Sequence, residues 1–165
     1  MKIGKGVEWG AHVCAILALL PPDAALPGEA LADFLDVPQP YLAKQLQALS
    51  RAGIVKAQRG AAGGYRLAKE PGAISLWDIT AALEGTAPSF RCTEVRRNGP
   101  CGASPAECPR PCEIAAAFQK AEQGYRQILA SVPLTDIVAG AAETATAERK
   151  QRINAWIAEH AAERA

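Results

Sequence analysis

Residues 28–53, GEALADFLDVPQPYLAKQLQALSRAG, decide the fold: they spell two short helices split by a tight turn at Asp36-Val37-Pro38. In the second helix Leu42, Leu46 and Leu49 recur at spacings of four and three, which places them on one face and leaves Tyr41, Lys44, Gln45 and Arg51 for the outer faces. Pro40 suits a first helical turn, where a missing N–H costs no hydrogen bond. Directly downstream, IVKAQ (54–58) and YRLAK (65–69) are short β-type runs joined by RGAAGG, whose glycines at 60, 63 and 64 permit the positive φ of a hairpin loop. A hairpin that follows a helix-turn-helix is a wing. The expected fold is therefore mainly α with a small β-hairpin wing.

Outward from this centre, VEWGAHVCAILALL (7–20) is apolar almost all round and predicts a first helix buried by its neighbours and ended by Pro21 and Pro22. On the other side, Ser75 with Asp78 resembles a helix start, and SLWDITAALEG (75–85) continues with Leu76, Ile79 and Leu83 on one side until Gly85 stops it. Residues 86–112 are dense in Pro and Gly and carry neither a helical nor a strand period. From Glu113 onward Ile114, Phe118, Ala121, Tyr125, Ile128 and Val132 step by four and three, the seam of two packed helices. A helix with such a stripe buries it either within one subunit or by dimerising. Pro133 should end this helix, Leu134 to Val138 reads as one further turn, and residues 144–164 predict an exposed terminal helix with Ile153, Trp156, Ile157 and His160 on a modest apolar face. The chain divides on this reading into a DNA-binding domain (1–85), a cysteine-rich loop (86–112) and a dimerisation helix with a C-terminal helix (113–165).

Composition sets the outer limits. At 165 residues, 49% hydrophobic and 21% charged, the chain is ordinary globular protein, which excludes disordered, collagenous and secreted mini-protein classes. No stretch reaches the roughly 18 uninterrupted apolar residues of a membrane span, and Glu8 and His12 interrupt the only signal-like start, so a cytoplasmic location is expected. A net charge of +1 argues weakly against a surface that grips nucleic acid everywhere. The charges are segregated, however: Tyr41 to Lys69 holds six basic residues (Lys44, Arg51, Lys56, Arg59, Arg66, Lys69) and no acid. That segment is expected to face double-stranded DNA. Lys44, Arg51, Lys56 and Lys69 suit phosphates, Gln39, Tyr41 and Gln45 suit base edges in the major groove, and Arg59 beside Gly60 suits a narrow minor groove.

Five cysteines, an odd number, make a poor disulfide framework for such a compartment. Four of them fall in the loop as Cys92-x8-Cys101-x6-Cys108-x3-Cys112, which lacks the paired C-x2-C spacing of zinc ribbons. Soft thiolates on an irregular loop suit an iron–sulfur cluster, and Cys112 at the start of the long helix favours the thiolate form. Cys14, within an apolar helix, reads as a small core residue. Glu8 and His12 share one face of the first helix at i and i+4, which taken alone is usually an ordinary polar pair. A thiol-dependent enzyme has little support, because only two histidines exist and no Cys–His dyad stands near a substrate motif.

The segments VEWGAHVC (7–14), PQPYLAKQLQALSRAGIV (38–55), RGAAGGYRL (59–67) and CPRPCEIA (108–115) resemble the winged-helix regulators that include the iron–sulfur regulator IscR and the nitric-oxide sensor NsrR, with the nearest likeness to the redox-sensing RsrR type. The resemblance implies a homodimer joined through the long helix, a palindromic promoter site, and a cluster near the interface whose state controls DNA affinity. For the RsrR type it implies a two-iron, two-sulfur cluster held by two Cys of one subunit with Glu8 and His12 of the other, and Trp9 as relay of the redox state. Cys108 and Cys112, which adjoin the interface helix, are the preferred pair, with Cys92 and Cys101 as alternative ligands or idle thiols. The loop departs from the IscR pattern of three closely spaced Cys and a following His, since it contains no His. A cluster-free regulator with a thiol switch or zinc is the alternative.

Overall fold

A computed structural model describes residues 3–60 and 63–161; positions 61–62 of the predicted hairpin loop, the first two residues and the last four lie outside the described residues. Helix α1 (Lys5–Leu17) runs through the middle, with Val13 and Cys14 wholly buried and Ile16 and Leu17 nearly so. It ends four residues before Pro21, earlier than the prolines alone suggest, because the chain leaves the axis after Ala18, whose N–H still donates to the carbonyl of Cys14. Around it pack α2 (Gly28–Leu35), α3 (Gln39–Arg51) and α4 (Leu76–Glu84).

Asp36 makes the turn between α2 and α3 in a left-handed conformation (φ 51°), one that a short polar side chain tolerates better than most. The N–H of Val37 then donates to the carbonyl of Ala32 at 3.0 Å, which closes the end of α2. Leu31, Leu42 and Leu49 are fully buried and Leu46 is 1% exposed, so the predicted leucine face is the core face. Each such side chain contributes roughly 1.5–3 kcal/mol on burial.

The wing is an antiparallel pair, β1 (Val55–Gln58) and β2 (Gly64–Leu67), in the register Val55 with Leu67 and Gln58 with Gly64. The sequence reading missed its third element: Leu26 and Tyr65 exchange backbone hydrogen bonds at 3.0 and 2.7 Å, which ties the wing to the α1–α2 connection. Gly64 is required there, since a Cβ would stand 2.5 Å from the carbonyl oxygen of Leu26. Helix α4 begins at Ser75 with a full capping box to Asp78 and stops at Gly85 (φ 83°), as the sequence predicts.

Beyond α4 the described chain holds the cysteine loop, with single 3-10 turns at Val95–Arg97 and Pro105–Glu107, and then α5 (Glu113–Ala130). Two expectations for the remainder are corrected. Residues after Pro133 form three turns rather than one, α6 (Leu134–Thr144), because Leu134 is buried and its N–H donates to the carbonyl of Ile74 at 2.8 Å, anchoring a helix that its alanines then extend. The terminal helix α7 (Ala147–His160) is not a free surface helix: Trp156 packs on Phe34 of α2 with ring centroids 4.6 Å apart, and Ile157 is only 6% exposed.

Candidate functional site: a basic wing and a cysteine loop

Two regions carry chemistry. On α3 and the wing, Gln39, Tyr41, Lys44, Arg51, Lys56 and Arg59 are exposed, Tyr41 to 62% despite its size. Gln45 differs from its neighbours. It is half-buried, its amide donates weakly to the carbonyl of Tyr41, and it lies so close to α1 that a Cβ on Gly6 would fall 2.8 Å from its Oε1. Gln47 is the residue the sequence reading passed over: it is exposed and shares a surface groove with Arg51 and Tyr65. Its position, three after Lys44 and four before Arg51, was the available signal. The acid-free segment is also not free of acid in space, because Asp23 pairs with Arg66 at 2.8 Å.

In the second region Cys92, Glu94 and Cys112 bring one ligand atom each within 4.8 Å of one another, the one such group among the described residues. Cys112 is the N-cap of α5 and 9% exposed, Cys92 and Cys101 are exposed, and Cys108 is half-buried.

Arg96 ties the loop together. Its guanidinium donates to Glu94 at 2.7 Å, to Glu113 at 3.4 Å and to the carbonyl of Arg110 at 3.0 Å, while its own carbonyl accepts from Ala103 at 2.9 Å. The Glu94 carboxyl is held below the usual carboxylate range by its hydrogen bond with Arg96. Arg96 is in turn raised chiefly by that hydrogen bond with Glu94.

Glu8 and His12 stand exposed on α1, outside that group, and Trp9 between them is half-buried against the core. Cys14 is confirmed as a core thiol, pushed up to about 12 by burial. Along α5, Ile114, Phe118 and Ile128 are 62%, 52% and 67% exposed, a stripe that nothing among the described residues covers apart from Phe90, which stacks on Phe118 at 4.6 Å. Tyr125, expected in that seam, instead meets Trp77 of α4 edge-on at 6.3 Å. No helix among the described residues is long and apolar enough to cross a membrane.

A helix-turn-helix with a two-stranded wing, an exposed basic surface and a thiol-bearing loop define the class of winged-helix transcriptional regulators. The chain belongs to the Rrf2 family, described as iron-dependent transcriptional regulators, whose model matches residues 3–140. It is 31% identical to the HTH-type transcriptional regulator YffB of Lactococcus lactis over 137 residues, 83% of this chain and 86% of that one. It is 42% identical over 90 residues to an HTH-type regulator of Synechocystis, a match that spans 54% of this chain and 61% of that protein's length. Among solved structures, T. potens IscR superposes with a TM-score of 0.66 at 26% identity, over 92% of this chain and 96% of that one. CymR (YrzC), the global cysteine regulator of B. subtilis, superposes at 0.63 and 27% identity over 84% and 97%.

Proposed function

We propose that the protein is a homodimeric, redox-responsive repressor whose affinity for promoter DNA is controlled by an iron–sulfur cluster of the two-iron, two-sulfur type. The observation that carries this reading is the gathering of Cys92, Glu94 and Cys112 at the foot of α5, with Arg96 bonded to Glu94 beside them. Soft thiolates beside a fixed cation, on a loop without regular structure, fit the donor chemistry that such a cluster needs. When bound, the cluster supplies a one-electron centre whose charge changes with its redox state.

The chain's own residues then divide the work. Cys112 anchors the site from the helix terminus, with Cys108 as its partner thiol and Cys92 as the nearest substitute; Cys101, exposed, is a more distant alternative. Glu8 and His12 of a second copy complete the ligand set, since both are exposed on the helix face where a partner can reach them. The uncovered stripe of Ile114, Phe118 and Ile128 is the surface on which that second copy docks. Trp9, adjacent to Glu8 and seated on the core beneath the helix-turn-helix, relays strain from ligand to recognition helix.

At the DNA, Lys44, Arg51 and Lys56 neutralise phosphates and Arg59 enters the minor groove from the wing. Gln39 and Tyr41 lead the base reading, with Gln45 joining only if its amide leaves Gly6. Two half-sites lie about 34 Å apart or at a multiple of that, so a small tilt between the two recognition helices changes affinity steeply. The test is to purify the protein without oxygen, count iron and sulfide, and measure promoter binding in oxidised, reduced and apo forms. Protein without iron and sulfide, or equal binding in all three forms, defeats the proposal. Two thiols and a carboxylate also form a three-ligand set for zinc, or a thiol pair for a disulfide switch. A colourless protein that responds to chelator or thiol oxidant favours that second reading.

A further inference from the structure

A second concavity lies away from the cysteine group, between α4, α5 and the entry to the loop. It is a cavity of about 340 Å³ lined by Trp77, Thr80, Glu84, Glu122, Tyr125 and Arg126 among others. Such a volume stands at the small end of the ~300–1,000 Å³ typical of ligand pockets, which suits a metabolite rather than a dinucleotide.

The polar groups of this cavity are only partly used. Arg126 stacks over the Trp77 ring at 5.0 Å, and its hydrogen bonds, to Glu122 and to the carbonyl of Thr86, both leave from Nη2. Its Nε and Nη1 donate to no protein group among the described residues. Glu84 accepts from the backbone N–H of Gly4 through Oε1 at 2.6 Å, and its second oxygen accepts nothing among the described residues. Glu84 and Tyr125 both line the cavity, and Tyr125 is raised by its burial and then by the neighbouring Glu84. One guanidinium and one carboxylate with unused hydrogen-bonding capacity therefore line the same cavity, together with indole and phenol rings.

We infer that this cavity binds a small zwitterion of the α-amino-acid class, its carboxylate on the free edge of Arg126 and its ammonium on Glu84. Other chemistries fit less well. The lining carries two carboxylates against one guanidinium, so a phosphate ester meets net repulsion. A simple amine leaves the Arg126 edge unpaired, and a simple carboxylate leaves Glu84 unpaired; each unpaired group is a penalty that a zwitterion avoids. The rings offer apolar area for the ligand side chain.

The same residues hold two segments in place. Glu84 fastens the start of α1 through Gly4, Arg126 fastens Thr86, and Glu122 accepts from the N–H of Ser89 at 3.2 Å, so the cavity sits where α1 and the cysteine loop are both anchored. An occupant of the cavity therefore bears on both segments, and promoter affinity becomes sensitive to a metabolite independently of any cluster.

Calorimetric titration of the purified protein with the proteinogenic L-amino acids tests this directly. At least one is expected to bind saturably at or below millimolar concentration. Its amide, which lacks the carboxylate, and its N-acetyl derivative, which lacks the ammonium, should each bind about tenfold or more weakly. In Arg126→Gln the acid and its amide should bind alike, and in Glu84→Gln the amine and its N-acetyl form should bind alike. The arms on unaltered protein stand even if a variant fails to fold. If no amino acid saturates, or the blocked derivatives bind as well as the parent, the inference is wrong.

Discussion

The helix-turn-helix and the cysteine loop are built by opposite means. Between Gly28 and Leu67 the chain is positioned by apolar burial: Leu31, Leu42, Leu46 and Leu49 fix α2 and α3, and the functional side chains project from the other face of a frame they do not help to hold. Between residues 86 and 112 no apolar residue is fully buried, and the functional groups are themselves the fasteners, Arg96 to Glu94, Glu113 and Arg110, and Glu107 to Ser104. Surface substitutions in the first region should thus change binding without changing the fold, whereas in the second the two cannot be separated. The first region is robust, and the second is adjustable.

The largest expected effect breaks the frame. Leu46→Ala removes a wholly enclosed side chain at the centre of α3 and should destabilise by about 2–5 kcal/mol, read as a lower denaturant midpoint together with loss of DNA binding. A cost below about 1 kcal/mol would mean that α3 is not held by its leucine face. A smaller loss is expected from Ser75→Ala. That change removes the Ser75 Oγ, which accepts from the Asp78 N–H at 3.1 Å and donates to Asp78 at 2.6 Å, leaves the backbone N–H of residue 75 on Asp78, and should cost about 0.5–2 kcal/mol. Because α4 meets α1, α3 and α5, this loss should appear in the same cooperative transition as that of Leu46→Ala.

Surface cations should do the converse. Lys44→Ala and Arg51→Ala are each expected to leave the denaturation midpoint within about 0.5 kcal/mol of the parent. Each should lower the slope of log binding constant against log salt by about one in magnitude per dimer half-site. An unchanged slope for both would remove α3 from the phosphate contacts. Arg66→Ala should change the slope less than either, because Asp23 already neutralises it within the chain.

How much of this was legible in the sequence follows the same division. Leu42, Leu46 and Leu49 announce a helix face at helical spacing, and Ser75 with Asp78 announces a cap; both are local signals, and both held. The bridge between Leu26 and Tyr65, the Asp23–Arg66 pair and the docking of Trp156 on Phe34 join residues 39, 43 and 122 positions apart, and no periodic pattern encodes such meetings. Tyr125 shows the limit within a single helix. Its spacing puts it in the α5 seam, yet an aromatic ring at the edge of a stripe turns to whichever neighbour offers a ring, and Trp77 does. In the cysteine loop, adjacency to the long helix ranks Cys108 beside Cys112, while the folded chain brings Cys92 to Cys112, next to a Glu94 that is bonded to Arg96, a residue whose importance no thiol-counting argument reveals.

The smallest expected effect separates the two regions by pH. Glu94 is held below the ordinary carboxylate range chiefly by its side-chain bond with Arg96, and Glu107 chiefly by the backbone N–H of Ser104. For a carboxyl lowered in the folded state, the stabilisation is complete above the unfolded value of about 4.3 and is lost as the pH falls through the lowered folded value. The loop should therefore open on acidification while the leucine-packed helices, whose cohesion does not titrate, remain closed. Hydrogen exchange at the Ala103 amide, which bonds the Arg96 carbonyl, reports the first tie, and exchange at the Cys108 amide, bonded to Pro105, reports the second. As the pH falls through those lowered values both should lose protection relative to their intrinsic rates while the Leu46 and Leu49 amides keep theirs. In Arg96→Ala the Ala103 amide should be unprotected at every pH and the Cys108 amide should still follow acid, since the bonds between Glu107 and Ser104 do not use Arg96. Simultaneous loss of loop and helix protection would show that the loop belongs to the cooperative core and that its polar ties are not what holds it.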